Sequence, residues 1–302
     1  MTEKTFTECM AENIFKDEML PIFEFFEPYC SRNKKEDVLS LELFKHELGS
    51  NGKVEQSLSQ LQKHLYAEQR KIIMSYMKSL RAHIQYFRKL DIKEDINKAI
   101  LKKKKILIAY MTLSRLILSD VQIQQKYDEN SDIKTILCVG LIDIEKDDIK
   151  VNDEIIKIQN ISMNTRNFLV IPIQGCSFNL LEKQLKRNKF DYVHIAGHCD
   201  GNKLYFSDEG VTNYKFFKHI NNLKSYYQLW FFNCCKSYDY VYNYTQDFKS
   251  KIIGYDGILD SFKALEVGTL FYEALFMNKG YISQAWENVE NSCDTQGYLL
   301  SN

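Results

Sequence analysis

The sequence predicts an α/β fold in its C-terminal half, with a mostly parallel sheet flanked by helices and preceded by an all-α N-terminal part. Up to about residue 130, apolar side chains recur at helical spacing. From about residue 132, short apolar runs alternate with helical segments, which is typical of a parallel sheet covered on both faces. The change falls at the polar segment 127–134, YDENSDIK, so we expect two domains, 1–131 and 132–302.

Four helices are predicted in the first domain. Apolar residues at intervals of three, four or seven predict one long helix over about 53–90. A second long helix is expected at 92–126, and two shorter ones at 9–27 and 37–48. The short connections favour an antiparallel, bundle-like arrangement.

The second domain is predicted to alternate strands with helices. Strands are expected at 135–142, 167–173, 192–196, 229–233 and 251–255, with a small hairpin around 204–206. Helices are expected at 151–161, 178–188, 211–222, 262–278 and 282–292. In sheets of this kind, the carboxyl ends of the strands carry the chemistry.

The charge and hydropathy of the sequence restrict the classes of partner that we expect. The 302 residues include 40 basic and 40 acidic side chains, so the formal net charge is zero and we expect no nucleic-acid partner. The run 102–105 of four lysines is predicted to be a solvated helix face.

The most hydrophobic run, 106–118, contains Arg115 and is shorter than the ~20 residues that a membrane span needs. Since no signal-peptide pattern opens the chain, we expect a cytoplasmic protein without membrane contact.

The eight cysteines lack the spacing of a disulfide framework and are predicted to be free thiols. Five residues that could ligate a metal occur near one another in sequence or across the predicted sheet: His194, His198, Cys199, Cys234 and Cys235. They lack the ligand pairs on turns that structural zinc requires, so we predict neither a metal nor another cofactor. Glycine-rich phosphate loops and a serine-hydrolase elbow are also absent from the sequence.

Two predicted strands end in reactive side chains. The segment FDYVHIAGHCDG ends shortly after His198, and LWFFNCCKS contains Cys235. If these strands are parallel neighbours, their exit loops lie side by side, and the imidazole can accept the thiol proton. The backbone amides of Cys199 and Cys235 are then the candidate donors for a developing oxyanion.

Several neighbouring residues are interpreted as structural. His194 lies mid-strand and is predicted to be a hydrogen-bonded core residue, and Cys234 is expected to point into the core. Asp200 and Gly201 are predicted to form a turn rather than to supply a third catalytic group. The tyrosine-rich segment 238–244 fits either a substrate groove or loop packing.

The segments HIAGH, 194–198, and NCCKS, 233–237, resemble the histidine and cysteine motifs of the CHAT family of caspase-like cysteine peptidases. The order of the segments from 134 to 289 and their pattern of apolar and polar residues also resemble CHAT domains. The resemblance implies a caspase-like fold and cleavage of a specific protein partner. It assigns His198 as the catalytic histidine and Cys235 as the nucleophile.

The resemblance also implies that Asn233 lines the pocket for the substrate side chain before the scissile bond. Cys199 stands where the family most often has glycine, and a positive φ there would cost a cysteine about 1–3 kcal/mol. Bacterial relatives commonly act in signalling or antiphage defence, so the helical domain is expected to bind a regulatory protein. The alternative that stays open is a catalytically inactive scaffold of the same fold.

Overall fold

The structure is a computed structural model. It describes residues 21–22, 24–26, 28–29, 37–50, 52–64, 71–127, 133–141, 149–165, 167–187, 189–207, 209–223, 227–242, 244 and 250–301. The chain divides into two compact units, Met1–Val121 and Gln122–Asn302, whereas the predicted domain boundary lies between residues 131 and 132.

Four helices with described bounds precede the sheet. They are α1 (Val38–Ser50), α2 (Lys53–His64), α3 (Lys71–Arg88) and α4 (Ile96–Tyr127). Both α1 and α2 pack against α3. The predicted helix over 53–90 corresponds to α2 and α3, and residues 65–70 between them lie outside the described part. The predicted helix over 9–27 lies mostly outside it as well, although the described residues from 21 to 29 are helical.

The lysine run on α4 is not uniformly solvated. Lys103 is only 6% exposed, and its ammonium lies 4.9 Å from the ring centre of Phe44 and 5.1 Å from that of Tyr29. The negative faces of the rings attract the cation, and the aliphatic stem packs against apolar surface. The prediction of a wholly solvated face is therefore wrong for this residue.

The second unit is α/β, with a mostly parallel six-stranded sheet flanked by helices, which confirms the predicted fold class at this level. Its strands are β1 (Lys134–Leu141), β2 (Phe168–Gln174), β3 (Tyr192–Gly197), β4 (Lys203–Tyr205), β5 (Gly210–Thr212), β6 (Leu229–Cys234), β7 (Lys251–Tyr255) and β8 (Tyr298–Leu300). The sheet has the order β2-β1-β3-β6-β7-β8, and β8 pairs antiparallel with β7. The strands β4 and β5 form a separate hairpin.

Helices cover both faces of the sheet. They are α5 (Ile149–Met163), α6 (Phe178–Arg187), α7 (Asn213–Asn222), α8 (Ser237–Tyr242), α9 (Ser261–Met277) and α10 (Ile282–Glu290). One face packs against α5, α9 and α10 in the main hydrophobic core. Ring contacts of Phe232 with Phe216 and Tyr240 place α7 and α8 on the other face. Because both faces are covered, the central strands are mostly apolar, with the buried polar side chains His194 and Asn233 as exceptions.

The structure adds two details to the sequence prediction. The predicted helix over 211–222 begins only at Asn213, because residues 210–212 pair with β4. The edge strand β8 was not predicted, since three residues are too few to show a periodic pattern. In the described part of the chain, no helix is long and apolar enough to cross a membrane.

Candidate active site

The strands β3 and β6 are parallel neighbours, which is the condition for their exit loops to lie side by side. Their ladder ends where Gly197 pairs with Cys234. His198 and Cys235 are therefore the first residues beyond the last paired rung, and both strand exits lie at the same edge of the sheet. Both residues are half-buried there.

Gly197 determines how the chain leaves β3. Its φ is 146°, a conformation that residues with a β-carbon rarely adopt. A β-carbon at this position would also overlap the carbonyl oxygen of Leu141, at the end of β1. The backbone conformation and the close approach of two strand ends therefore both require glycine before His198.

A tight turn follows His198. Its carbonyl accepts a hydrogen bond from the Tyr205 amide at 3.1 Å. The Asp200 carboxylate accepts hydrogen bonds from the amides of Asn202 and Lys203, at 2.9 and 2.8 Å, and from the Tyr205 hydroxyl at 2.5 Å. Partial burial raises the pKa of Asp200, but these hydrogen bonds outweigh it and hold the pKa below its ordinary value. Asp200 thus stabilises the turn, in agreement with the prediction that Asp200 and Gly201 form one.

Cys199 follows His198 without backbone strain. Among the described non-glycine residues, positive φ angles occur at Lys236 and Lys279, so the cost considered for a cysteine in that conformation does not arise. The side chain is 7% exposed, and its sulfur accepts a hydrogen bond from the Gly201 amide at 3.4 Å. Burial raises the pKa of the Cys199 thiol to about 12, so this thiol is protonated near neutral pH.

The chain turns sharply after Cys235. Lys236 has a φ of 49°, and its amide donates a hydrogen bond to the Gly257 carbonyl at 2.7 Å. The Cys235 sulfur accepts a hydrogen bond from the Leu259 amide at 3.3 Å and lies 3.7 Å from the Leu259 carbonyl oxygen. The loop after β7 therefore holds both residues of this turn.

Ser237 anchors the far side of the same turn. Its side chain is fully buried, and its hydroxyl donates a hydrogen bond to the Phe232 carbonyl at 2.7 Å. The same oxygen accepts a hydrogen bond from the Tyr255 amide at 2.9 Å. One hydroxyl thus connects β6 to β7, which explains a serine two residues after Cys235.

The turns after β3 and β6 contact each other. The Cys199 sulfur lies 4.0 Å from the carbonyl oxygen of Lys236. A β-carbon on Gly201 would lie 3.5 Å from the β-carbon of Lys236 and 3.6 Å from that of Asp239. The segments that carry His198 and Cys235 are therefore packed side by side.

Cys235 is more accessible than the buried thiols of this unit. Cys138 and Cys234 are buried, and burial raises the pKa of both thiols well above the ordinary value. Cys293 is also half-buried, and partial burial and nearby carboxylates raise the pKa of its thiol. Cys235 is thus a half-buried thiol at the edge of the sheet where parallel strands end.

No model of a known protein family matches the chain, and no curated protein does. The resemblance to CHAT peptidases therefore depends on the segments around His198 and Cys235 and on the order of the strands and helices.

Asn233 lies in a buried polar network, one rung before the last pair of the β3–β6 ladder. Its side chain is 2% exposed. Its amide nitrogen donates to a Glu154 carboxylate oxygen at 2.5 Å and to the Ala264 carbonyl at 2.8 Å, and its oxygen accepts from the Tyr298 hydroxyl at 2.5 Å. The expectation that Asn233 lines a substrate pocket therefore depends on the resemblance alone, because both polar atoms already contact protein groups.

Sequence reasoning did not identify Glu154, which is 2% exposed on α5. The same carboxylate oxygen lies 2.9 Å from Nε2 of the fully buried His194. The sequence does carry a signal, because Glu154 interrupts an apolar stripe of Val151, Ile155 and Ile158 at helical spacing. A carboxylate in such a stripe indicates a buried polar partner.

The cysteines and histidines of this region do not form a metal site. In the part of the chain that the structure describes, no group of three or more histidine, cysteine, aspartate or glutamate side chains could hold a metal ion. His194 instead lies between the rings of Phe231 and Tyr272, with centres 5.0 and 5.4 Å away. Its predicted place in the core is confirmed.

Proposed function

We propose that the chain is a caspase-like cysteine endopeptidase similar to the CHAT family. Residues 132–302 would be its peptidase domain and residues 1–131 an all-α regulatory domain. The observation that supports the proposal most directly is the register of β3 and β6, in which Gly197 pairs with Cys234. It gives a histidine and a thiol equivalent positions at two neighbouring strand exits, where α/β sheets commonly carry their reacting groups.

In the proposed reaction, His198 accepts the thiol proton of Cys235, and the sulfur bonds to the carbonyl carbon of a substrate peptide. The carbon–nitrogen bond then breaks, and His198 gives its proton to the leaving amine. His198 next deprotonates a water molecule, whose oxygen attacks the thioester carbon. The carbon–sulfur bond breaks, the sulfur regains a proton, and the second product leaves as a carboxylic acid.

The backbone amides of Cys199 and Cys235 are the proposed donors to the carbonyl oxygen as it becomes negative. Both belong to strand-exit turns that internal hydrogen bonds hold in place, so they need little reorganisation during the reaction. The loss of one such donor typically costs about 10²–10³ in rate. The non-strained backbone at Cys199 supports this part of the proposal.

The proposed substrate is one specific protein partner. By analogy with bacterial CHAT peptidases, the protein would act in the cytoplasm in a signalling or antiphage defence pathway. A regulatory protein would bind the N-terminal domain, and Asn233 would contribute to substrate selection. The proposed chemistry needs no metal, cofactor, nucleic acid or membrane.

A catalytically inactive scaffold of the same fold is the second candidate. The observation that favours it is the engagement of the Cys235 sulfur by both the amide and the carbonyl of Leu259. A thiol that donates to a carbonyl is in its protonated form, which is the weaker nucleophile.

The direct test of peptidase activity is cleavage of a protein encoded beside this chain. Wild type is expected to cut one such protein, whereas Cys235→Ala and His198→Ala are expected to reduce the rate by at least about 10³-fold. Cys293→Ala removes another half-buried thiol and should cleave like wild type. Equal cleavage by Cys235→Ala and wild type would exclude the proposal.

Alkylation distinguishes the enzyme from the scaffold without a known substrate. Iodoacetamide reacts with thiolates, so a histidine-paired Cys235 should be labelled faster than Cys293 at neutral pH. This preference should fall in His198→Ala, as measured by peptide mass spectrometry. Similar labelling rates for both thiols in wild type would favour the scaffold.

A further inference from the structure

The buried carboxylate of Glu154 contacts both strands that carry the proposed catalytic pair. One of its oxygens lies 2.9 Å from Nε2 of His194 on β3 and accepts a hydrogen bond of 2.5 Å from Asn233 on β6. Burial of a carboxylate is costly unless charged or polar groups compensate it. These two contacts supply that compensation from two different strands.

The contacts are sensitive to the register between the strands. The ladder pairs His194 with Phe231 and Ala196 with Asn233, so the carboxylate joins residues that lie two rungs apart on the same face. A slip of one residue would turn either side chain to the opposite face. We call these contacts of Glu154 with His194 and Asn233 the bridge. The bridge therefore forms only in the register that also places Gly197 opposite Cys234.

The bridge lies close to the strand exits. Asn233 precedes Cys235 by two residues, which corresponds to roughly 7 Å along a strand. His194 precedes His198 by four residues, or roughly 13 Å. A displacement of either strand at the bridge would therefore be transmitted to a reacting side chain over a short, hydrogen-bonded segment.

Two further elements hold the bridge in place. A β-carbon on Gly268 of α9 would overlap the Glu154 carboxylate, so glycine allows the helix to approach it closely. The Tyr298 hydroxyl on β8 donates to the Asn233 oxygen at 2.5 Å. Burial raises the pKa of Tyr298 well above its ordinary value, so the hydroxyl stays protonated and keeps donating.

We infer that Glu154 is a positioning residue for the pair formed by Cys235 and His198, and that it acts through Asn233 and His194. The inference rests on the proposed function, because positioning matters only if the imidazole and the thiol work together. Glu154 touches neither reacting group, so its effect is on their alignment.

The test measures Cys235 alkylation by iodoacetamide in the full chain, as a function of pH. Glu154→Ala is expected to lower the rate constant at neutral pH about tenfold, because small misplacements of reacting groups have large effects on rate. Its pH profile should move upward, towards that of His198→Ala. Glu154→Gln keeps the volume and one accepting oxygen, so it should retain more of the rate than Glu154→Ala.

The matched control is Ile158→Ala. Ile158 lies one turn further along the same face of α5, is fully buried, and belongs to the apolar core. Its truncation destabilises the packing of α5 without removing a polar contact to either strand. We expect the pH profile of Ile158→Ala to match that of wild type.

The outcomes separate this inference from the proposed function. If His198→Ala lowers the alkylation rate but Glu154→Ala behaves like Ile158→Ala, the inference is wrong and the proposed function stands. If His198→Ala leaves the rate unchanged, both are wrong. If Glu154→Ala does not fold, Glu154→Met decides, because it keeps most of the volume but cannot accept a hydrogen bond from Asn233, and a wild-type rate and pH profile in that variant would overturn the inference.

Discussion

The hydroxyl of Ser237 donates a hydrogen bond to the carbonyl of Phe232 across the turn that contains Cys235, at 2.7 Å. The same hydroxyl accepts a hydrogen bond from the Tyr255 amide of the next strand, at 2.9 Å. Both bonds form away from water because Ser237 is fully buried. The turn is therefore tied to β6 and β7 by a single side chain.

Replacement of Ser237 by alanine is expected to destabilise the second unit by about 1–3 kcal/mol, because a buried carbonyl and a buried amide lose their partner. Denaturant unfolding followed by tryptophan fluorescence measures this, since both tryptophans, Trp230 and Trp286, lie in this unit. Ser261→Ala, at an exposed position, is the control and should change stability by less than about 0.5 kcal/mol. Equal effects of the two substitutions would contradict the assigned role of Ser237.

Gly197→Ala is expected to be more damaging than Gly257→Ala. Both glycines have a positive φ, 146° and 106°, so alanine is strained at either position. Only at Gly197 would the β-carbon also overlap the Leu141 carbonyl, whereas at Gly257 the nearest atom would be 4.0 Å away. Unfolding free energies should therefore show a loss of about 1–3 kcal/mol for Gly257→Ala and a larger loss for Gly197→Ala. Equal losses would mean that backbone strain at positive φ, without the overlap with the Leu141 carbonyl, explains why glycine precedes His198.

Asp200→Asn tests whether this carboxylate has a turn role or a catalytic role. Because Asp200 accepts hydrogen bonds from Asn202, Lys203 and Tyr205, the substitution should weaken the hairpin but leave the alkylation rate of Cys235 near that of wild type. Tyr205→Phe removes only the hydroxyl contact and should cause a smaller loss of stability. If Asp200→Asn lowers Cys235 alkylation as strongly as His198→Ala, the carboxylate is a third member of the catalytic group.

The central strands and the position of the candidate site could be predicted from the sequence for a common physical reason. Strands covered on both faces are mostly apolar, so β1, β3 and β6 appear as short apolar runs between helical segments. His198 and Cys235 are then conspicuous in the sequence, because they follow those runs directly. The short elements β5 and β8 carry no such pattern, and their pairing depends on tertiary contacts.

The supporting contacts were harder to predict because their partners are distant in sequence. Asn233 and Glu154 are 79 positions apart, and Tyr298 lies 65 positions after Asn233. Which residues meet across a sheet depends on register and on which helix covers which face, and neither follows from local propensity. For the same reason Lys103 could not be recognised as buried, since its aromatic partners Tyr29 and Phe44 come from elsewhere in the chain.

The Cys199 thiol gives a prediction for alkaline pH. Burial raises its pKa from the ordinary 9.0 to about 12. In the unfolded chain the thiol loses its proton above about pH 9, whereas in the folded protein it keeps the proton up to about pH 12. Since the unfolded state binds fewer protons in this window, the stabilisation from protonated Cys199 is complete below pH 9 and is lost as the pH rises through 12.

Comparison of wild type with Cys199→Ala isolates this contribution. The difference in unfolding free energy between the two proteins should be constant below about pH 8 and should fall by about 1 kcal/mol from pH 9 to pH 10. Denaturant titrations under reducing conditions, followed by circular dichroism, measure this difference. A difference that stays constant through pH 10 would show that Cys199 is more accessible to water than its 7% exposed fraction indicates. The turn after His198 would then open in solution, and its amide could not serve as a fixed oxyanion donor.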